Sequence, residues 1–209
     1  MAYAGKYIIG ITGPIGAGKS TVLRLLQERG AEVIDADKVA HEVMAPGGTA
    51  YQQVIAAFGR EILQTDGQIN RQRLARQVFS DPQALRRLEA IVHPAVYENI
   101  KARIERTEKP IVAIEAIKLL EAGLSLTLCD EVWVVLIDPK VQQQRLAERG
   151  MSPSEVQRRL AAQLSPEEYR RRADVVLDNS DDLEHLRQQV EHAWQKVLAK
   201  VRAGCTEPK

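Results

Sequence analysis

Apolar residues along the chain alternate between short continuous runs and segments with helical spacing. The continuous runs are rich in β-branched residues, which is typical of strands covered on both faces of a parallel sheet. Helical segments separate these runs, so the pattern predicts a doubly wound α/β fold around a five-stranded parallel sheet. The predicted strands are residues 7–12, 31–35, 110–114, 131–137 and 174–178.

The segment 49–108 interrupts this alternation, because it contains helical spacing and turn residues but no strand-like run. From Pro82 to Arg106, apolar residues recur at spacings of three and four and form one stripe on a helix. His93-Pro94 lies in the middle of that stripe. We therefore predict a helical insertion at 49–108, with either a kink or a break between two helices at Pro94.

Residues 13–20, GPIGAGKS, connect the first predicted strand to the first predicted helix and have the Walker A spacing of a P-loop. Glycines let the backbone approach a phosphate chain, while successive N–H groups and the helix N-terminus attract the anion. Lys19 is expected to reach the β- and γ-phosphates of ATP, and the Ser20 hydroxyl to hold Mg²⁺. The alternative is a glycine-rich turn with a chance lysine. The predicted nucleotide-binding residues here are Gly13, Gly16, Ala17, Gly18, Lys19, Ser20 and Thr21.

The composition is that of an ordinary globular domain. Lysine and arginine together number 29 against 28 aspartates and glutamates in 209 residues, so nothing global indicates nucleic acid, a membrane or an obligatory protein partner. No apolar run approaches the roughly 20 residues that span a bilayer, and only Lys6 precedes the first strand, so we expect no signal peptide and a cytoplasmic location. Cys129 and Cys205 are far apart in the chain, which predicts reduced, incidental thiols.

Asp35-Ala36-Asp37 follows the second predicted strand. Ligands of open α/β sheets bind at the carboxyl ends of the strands, so Asp37 is a candidate for accepting the proton of a substrate hydroxyl. Aspartate is also a favoured N-cap, and Asp37 could instead cap a helix from Lys38 to Met44. Position alone leaves both interpretations open. The last predicted strand also ends in polar residues, which place Asn179 at the edge of the site.

Between Arg145 and Arg172 the chain contains seven arginines, four glutamates and no lysine. Arg145 and Arg149 are four residues apart, so they share one helix face and can bind an anion together. Serines and prolines bracket a short helix at about 154–164 in this segment. A short arginine-rich helical flap in a P-loop protein is typical of a lid, which we predict at 151–172. Alternatively, these arginines are solvated and paired with glutamates.

Together these parts favour a small-molecule kinase. Phosphoryl transfer requires that the γ-phosphate be held in line with an acceptor, that its charge be neutralised and that water be excluded. A P-loop, an arginine-bearing lid and a carboxylate that orients the acceptor meet these requirements. The predicted organisation is one P-loop kinase domain over 1–209, with core segments 1–48, 109–150 and 173–202, a helical acceptor-binding insertion 49–108 and a lid 151–172.

Five segments, in order along nearly the whole chain, resemble the dephospho-coenzyme A kinase family. They are Ile11–Thr21, Val33–Asp37, Asp66–Arg71, Leu88–Pro94 and Ala173–Asn179. The resemblance implies ATP-dependent phosphorylation of the ribose 3′-hydroxyl of dephospho-coenzyme A, the final step of coenzyme A biosynthesis, with ATP and Mg²⁺ required.

The resemblance also implies roles for individual residues. Asp37 would be the base, and Arg145 and Arg149 would face the triphosphate with Lys19. The acceptor would be held by the helical insertion, and the residues expected near it are Asp37, Arg71, His93 and Leu119. Asn179 would border the nucleotide. From periodicity alone, His93 is instead a buried core residue.

The sequence departs from the family pattern at two points. Pro14 stands where the family usually has a glycine, and Ile117-Lys118 precedes Leu119 where the family has a proline before two leucines. Lys118 is either a further contact to the acceptor or a solvated surface lysine.

Three alternatives remain: another small-molecule kinase acting on a nucleoside monophosphate or shikimate, a nucleotide-switched regulatory protein, and a catalytically silent relative. The regulatory alternative lacks a base-reading motif such as NKxD, because Asn179 is not followed by lysine.

Overall fold

Five strands form one sheet in the computed structural model, which describes residues 3–116, 119–122 and 125–204. The strand order across the sheet is β2-β3-β1-β4-β5. The pairs β1–β3, β1–β4 and β4–β5 are parallel, and Ile9 of the central strand lies opposite Ala113 on one side and Glu131 on the other. This confirms the predicted α/β fold with a parallel sheet. The strands are β1 Tyr7–Thr12, β2 Glu32–Asp35, β3 Ile111–Glu115, β4 Glu131–Leu136 and β5 Val175–Asp178.

Helices connect the strands, and none of the described helices is long and apolar enough to cross a membrane. Two short 3₁₀ turns, Arg60–Ile62 and Ser125–Leu128, accompany them. The α-helices of the described residues are α1 Lys19–Glu28, α2 Ala36–Val43, α3 Tyr51–Phe58, α4 Arg71–Ser80, α5 Pro82–Arg106, α6 Leu119–Ala122, α7 Pro139–Glu148, α8 Pro153–Ala161, α9 Pro166–Arg171 and α10 Leu183–Gly204.

The sheet is covered on both faces, which explains why its strands are continuous apolar runs. Successive residues of β4 point to opposite faces. Trp133 joins an apolar cluster with α1 and α10, whereas Val132 and Val134 join a second cluster with Leu119 and Tyr169. All of these side chains are buried. β1 lies in the middle of the sheet between β3 and β4, so the loop after it begins from a strand whose residues are all buried.

The chain divides into two compact units. The sheet unit contains residues 1–34 and 107–209, and the helical unit contains residues 35–106. The helical unit therefore includes α2 as well as residues 49–106 of the segment 49–108, in which we predicted only helices. Within it, α2 packs on α5, and Glu42 accepts a hydrogen bond from the Arg103 guanidinium.

The long helix α5 runs without a break through Pro94. Of the two outcomes predicted at His93-Pro94, the break between two helices is therefore wrong. Burial of Val92, Val96, Ile100 and Ile104, spaced four residues apart, fixes one face of this helix in the interior of the helical unit. That packing compensates for the main-chain hydrogen bond that a proline inside a helix cannot donate.

Candidate active site

Two positions of the P-loop in the sheet unit, Gly13 and Gly18, require glycine. Gly13 has φ +142°, and a Cβ added there would lie 2.2 Å from the carbonyl oxygen of Val135 in β4. Gly18 has φ +97°, and its Cβ would lie 2.1 Å from Nδ2 of Asn179. Positive φ is strained for residues with a side chain, and both positions also lack space for one. The loop is thus packed directly against the ends of β4 and β5.

Lys19 is only 7% exposed, and its ammonium lies back over the loop. Nζ donates to the carbonyl oxygens of Gly13 at 2.9 Å and Pro14 at 3.2 Å. Within the described part of the chain, the amides of Gly16 and Gly18 donate to no protein acceptor, and no side chain caps the N-terminus of α1. Main-chain donors, a helix N-terminus and a lysine ammonium therefore converge at the loop. This combination binds anions, and phosphate groups in particular.

Asn179 supports the loop from the end of β5. Its side chain is 6% exposed, and Nδ2 donates 2.7 Å to the carbonyl oxygen of Ala17. Its own amide donates 2.9 Å to the carbonyl oxygen of Leu136. Sequence reasoning placed Asn179 next to the nucleotide, and the structure places it beneath the loop, with its amide group held by the loop backbone.

The two arginines selected from the sequence lie in different environments. Arg145 is half-buried on α7, and its Nη1 lies 4.0 Å from the Cβ position of Gly18, so the guanidinium lies beside the P-loop. Arg149 is exposed and forms the C-cap of α7. The structure thus places Arg145 beside the loop and Arg149 at the helix end.

The segment predicted as a lid contains α8 and α9, each begun by a serine cap. Ser152 caps α8, and Ser165 forms a capping box with Glu168, which lowers the pKa of that carboxyl group through its hydrogen bonds to Ser165. Arg159 forms an ion pair with Glu155 one turn earlier. For Arg159, this contact favours the solvated, paired alternative.

In the helical unit, Asp37 lies in the first turn of α2 and is exposed. The helix begins at Ala36, and its N-cap is Asp35, whose Oδ1 accepts 3.0 Å from the amide of Lys38. The interpretation of Asp37 as an N-cap is therefore wrong. Because Asp35 performs the capping, the Asp37 carboxylate is not required for it.

One helical turn after Asp37, His41 lies in a cleft that the sequence analysis missed. Its Nε2 is 2.9 Å from Nη1 of Arg71, the predicted acceptor-binding arginine. Partial burial and the positive charge of Arg71 lower the pKa of His41, against the opposing influence of Asp37 and Asp35. In the sequence, the feature that could have identified His41 is its position four residues after Asp37, on the same face of the helix. The cleft has a volume of about 60 Å³ and is lined by His41, Met44, Ala45, Pro46, Gln68, Ile69, Arg71 and Leu74.

The remaining residues selected for the acceptor lie elsewhere. His93 is half-buried in the middle of α5 and does not line the cleft among the described residues. Leu119 is 2% exposed and packs in an apolar cluster of the sheet unit, so a contact to a ligand there would use its main chain. Lys118 and Cys205 lie outside the described residues.

Cys129 has the environment of an unreactive thiol. Its Sγ donates 3.4 Å to the carbonyl oxygen of Ser125, and burial raises its pKa to about 12. The reactive thiolate is therefore scarce near neutral pH, which agrees with the prediction of an incidental thiol.

Comparison with known proteins shows which family combines these features. The model of the dephospho-CoA kinase family matches residues 7–185. The dephospho-CoA kinase of Symbiobacterium thermophilum is 45% identical over 192 residues, covering 90% of this chain and 80% of the relative. That of Geobacter sulfurreducens is 45% identical over 193 residues, covering 90% and 98%. The chain belongs to the dephospho-CoA kinase family.

Solved structures extend the likeness to three dimensions. A Thermus thermophilus protein designated TT1252 is 38% identical, with a TM-score of 0.80 over 93% of this chain and 97% of that one. A shikimate kinase from Acinetobacter baumannii shares the fold, with a TM-score of 0.53 and 17% identity over 93% of this chain and 94% of that one. The dephospho-CoA kinase family thus uses a fold that other small-molecule kinases share.

The residues present fit the nucleotide substrate of a kinase. The Cβ positions of Gly13 and Gly18 show that the loop is shaped by the absence of side chains, and its amides and Lys19 supply positive charge. The described residues contain no cluster of three or more histidine, cysteine or acidic side chains suited to a metal ion. Mg²⁺ in kinases is held largely by substrate phosphates, with few protein ligands, and the exposed Ser20 hydroxyl at the start of α1 fits that use.

Proposed function

We propose that this protein transfers the γ-phosphoryl group of ATP to the ribose 3′-hydroxyl of dephospho-CoA and releases ADP and coenzyme A. The observation that carries the proposal is the match to dephospho-CoA kinases over most of the chain, at 45% identity, in a chain with a complete P-loop. The fold alone does not identify the acceptor, because shikimate kinase shares it.

For the donor, we propose that the P-loop amides hold the phosphates of ATP and that Lys19 neutralises the β- and γ-phosphates. Gly13, Gly16, Ala17, Gly18 and Thr21 complete this phosphate site. The Ser20 hydroxyl would be a ligand of Mg²⁺, which, when bound, stabilises the charge that develops on the phosphates. Arg145 lies beside Gly18, which supports a role in contacting the triphosphate, and we assign Arg149 the same role on its sequence position.

For the acceptor, we propose that the Asp37 carboxylate orients the 3′-hydroxyl and accepts its proton. Its exposed position in a helix turn that Asp35 already caps supports this role. Arg71 and the cleft that it lines with His41 supply positive charge for an anionic group of the acceptor. We propose that His93 and Leu119 contact the acceptor on the basis of the family resemblance.

The remaining part of the proposal is water exclusion. ATP bound without cover transfers its phosphoryl group to water, so a kinase requires closure over the site. We propose residues 151–172 as the lid, residues 49–108 as the acceptor-binding insertion, and residues 1–48, 109–150 and 173–202 as the core.

An acceptor panel tests the proposed reaction. The protein with Mg²⁺ and ATP is incubated with dephospho-CoA, adenosine monophosphate or shikimate, or with no acceptor, and ADP release is measured. Of the four incubations, we expect rapid ADP release only in the one that contains dephospho-CoA. Phosphorylation of adenosine monophosphate or shikimate but not of dephospho-CoA, or no transfer at all, would overturn the assignment.

Replacing Asp37 with asparagine tests the assigned base. Because the transition state of phosphoryl transfer is loose, the base mainly orients the hydroxyl, and general-base catalysis contributes roughly 100-fold or more. We expect Asp37→Asn to lower kcat by about that factor, while the calorimetric affinity for ATP changes little. Asp35→Asn is the matched control, because asparagine also caps helices and the helix should persist. Unchanged turnover in Asp37→Asn would remove the role.

A further inference from the structure

Two glutamine side chains hold one residue of the P-loop, Ile15, from both sides. Gln142 on α7 donates from Nε2 to the carbonyl oxygen of Ile15 at 2.6 Å. The amide of Ile15 donates to Oε1 of Gln163 at 3.0 Å. Gln142 is 6% exposed, and Gln163 is half-buried two residues after the end of α8.

The chemistry of the main chain fixes the direction of both hydrogen bonds. An amide N–H can only donate and a carbonyl oxygen can only accept, so Gln163 must present its oxygen and Gln142 its nitrogen. Pro14 has no N–H, and Ile15 therefore carries the first main-chain donor after Gly13. The donor and the acceptor of a single residue are thus both bound by side chains from outside the loop.

The helix α7 also braces the adjoining residue. A Cβ at Gly16 would lie 3.1 Å from the Leu146 side chain and 3.6 Å from Cγ of Gln142. Gln142, Arg145 and Leu146 are three and four residues apart, so one helix face contacts the loop at successive points. Gln163 is the corresponding contact from the segment predicted as a lid.

We infer that Gln142 and Gln163 are positioning residues that fix Ile15, and that Gln163 thereby ties the lid segment to the phosphate loop. The inference rests on the proposed function, because the loop amides must be pre-arranged to bind the nucleotide. Fixing Ile15 holds the following Gly16 and Gly18 amides in place before ATP arrives. Neither glutamine is assigned a contact to the reacting atoms.

Methionine substitutions test the two ties by ATP binding. Methionine keeps the length of glutamine and removes its amide group. A net hydrogen bond corresponds to about a fivefold change in an equilibrium constant. We expect Gln142→Met and Gln163→Met each to weaken the calorimetric affinity for ATP by about fivefold and to raise the KM for ATP, with kcat and the KM for dephospho-CoA little changed. Gln143→Met and Gln157→Met, at exposed positions of α7 and α8, are the matched controls and should bind ATP normally.

Glutamate substitutions distinguish the glutamine that accepts a hydrogen bond, Gln163, from the one that donates, Gln142. A carboxylate can accept from Ile15, so Gln163→Glu should keep the Ile15 amide as protected from hydrogen exchange as in the wild type. Gln163→Met removes the acceptor, so exchange of this amide should become about tenfold faster. A carboxylate cannot donate to the Ile15 carbonyl, so Gln142→Glu should behave at least as poorly as Gln142→Met. Exchange is measured by NMR on the full chain, with thermal melting to show that each variant is folded.

The proposed tie between Gln163 and Ile15 would be overturned if Gln163→Met kept both the Ile15 exchange rate and the ATP affinity of the wild type. It would also be overturned if Gln163→Glu and Gln163→Met lost protection of the Ile15 amide equally. A drop in kcat with unchanged ATP affinity would overturn the positioning role. The calorimetric affinity for ATP and the hydrogen exchange of Ile15 do not depend on phosphoryl transfer. If the wild-type protein shows the predicted binding and exchange but phosphorylates no dephospho-CoA, the proposed function fails and this inference stands.

Discussion

Gly18 is the residue at which the phosphate loop becomes a helix, and its lack of a side chain is required for two reasons. Its backbone has φ +97°, and the amide group of Asn179 occupies the place of a Cβ. Gly30, just after α1, has nearly the same backbone conformation, φ +94°, but no heavy atom lies within 4 Å of its Cβ position. Gly18 is therefore subject to both backbone strain and close packing, whereas Gly30 is subject to backbone strain alone.

Alanine at each of these glycines should give different results. In Gly30→Ala the only cost is a side chain on a left-handed backbone conformation. We therefore expect it to lower the free energy of unfolding by about 1–2 kcal/mol and to leave the KM for ATP unchanged. Gly18→Ala also displaces Asn179 from the loop, and we expect on the order of tenfold weaker ATP binding in addition. Urea unfolding and calorimetry measure the two effects. Equal ATP affinity in the two variants would contradict the account of Gly18.

His41 predicts a pH dependence of stability. Its pKa is lowered in the folded protein, chiefly by partial burial and then by Arg71, so the unfolded chain takes up its proton first as the pH falls below about 6.5. The free energy of unfolding should therefore decrease as the pH drops through this range. His41→Asn should remove that part of the slope, measured by urea unfolding from pH 8 to pH 5. An identical slope in the variant would contradict the lowered pKa.

At the residue level, the sequence is most informative where neighbouring residues of the chain define a motif. The P-loop is contiguous, so its spacing located the loop that carries Gly13, Gly18 and Lys19 between β1 and α1. The contacts of these residues to phosphate stay predictions. Position left Asp37 open between a base and an N-cap, because the sequence pattern does not fix the first residue of α2. His41 was missed because its partner, Arg71, is distant in sequence. The roles of Asp37, Arg71 and His93 in catalysis and binding stay predictions.

At the scale of elements, a buried carboxylate joins three of them. Glu131 begins β4 and is 5% exposed. It accepts hydrogen bonds from the Tyr7 hydroxyl of β1 at 2.9 Å, the Trp133 indole at 2.7 Å and the Lys200 ammonium of α10. Burial and the bond to Glu131 raise the pKa of Tyr7 to about 12. The start of the central strands is thus joined to the last helix by one side chain.

Glu131→Gln should destabilise the protein without impairing the site. The amide presents an N–H₂ group to donors and removes the charge that Lys200 binds, so we expect a loss of about 2 kcal/mol in the free energy of unfolding. The affinity for ATP of the folded variant should equal that of the wild type. Glu184→Gln, at an exposed position of α10, is the control and should change stability little. Wild-type stability in Glu131→Gln would show that the network contributes nothing.

The elements themselves were largely predictable, because burial on both faces makes the strands continuous and apolar. Their ends were less so. Asp35 caps α2 and starts it two residues earlier than the predicted helix, and β3 is shifted by one residue. The stability of α5 through Pro94 depends on packing of Val92 and Val96 within the helical unit, which helical periodicity does not reveal.

At the scale of the whole molecule, the strand order could not be derived from periodicity, because parallel strands of similar composition are interchangeable in the sequence. Nor did periodicity assign α2 to the helical unit, since its packing on α5 is a long-range contact. The family was recognisable because its motifs occur in order along nearly the whole chain. Shikimate kinase shows that this architecture also serves other acceptors, so the central claim concerns the acceptor atom.

Deoxy analogues of the acceptor test that claim most directly. The wild-type protein is incubated with Mg²⁺, ATP and either 2′-deoxy or 3′-deoxy dephospho-CoA, and phosphorylated product is measured by mass spectrometry. The account predicts phosphorylation of the 2′-deoxy analogue and none of the 3′-deoxy analogue, which lacks the accepting oxygen. Phosphorylation of the 3′-deoxy analogue, or of neither analogue nor dephospho-CoA itself, would contradict it.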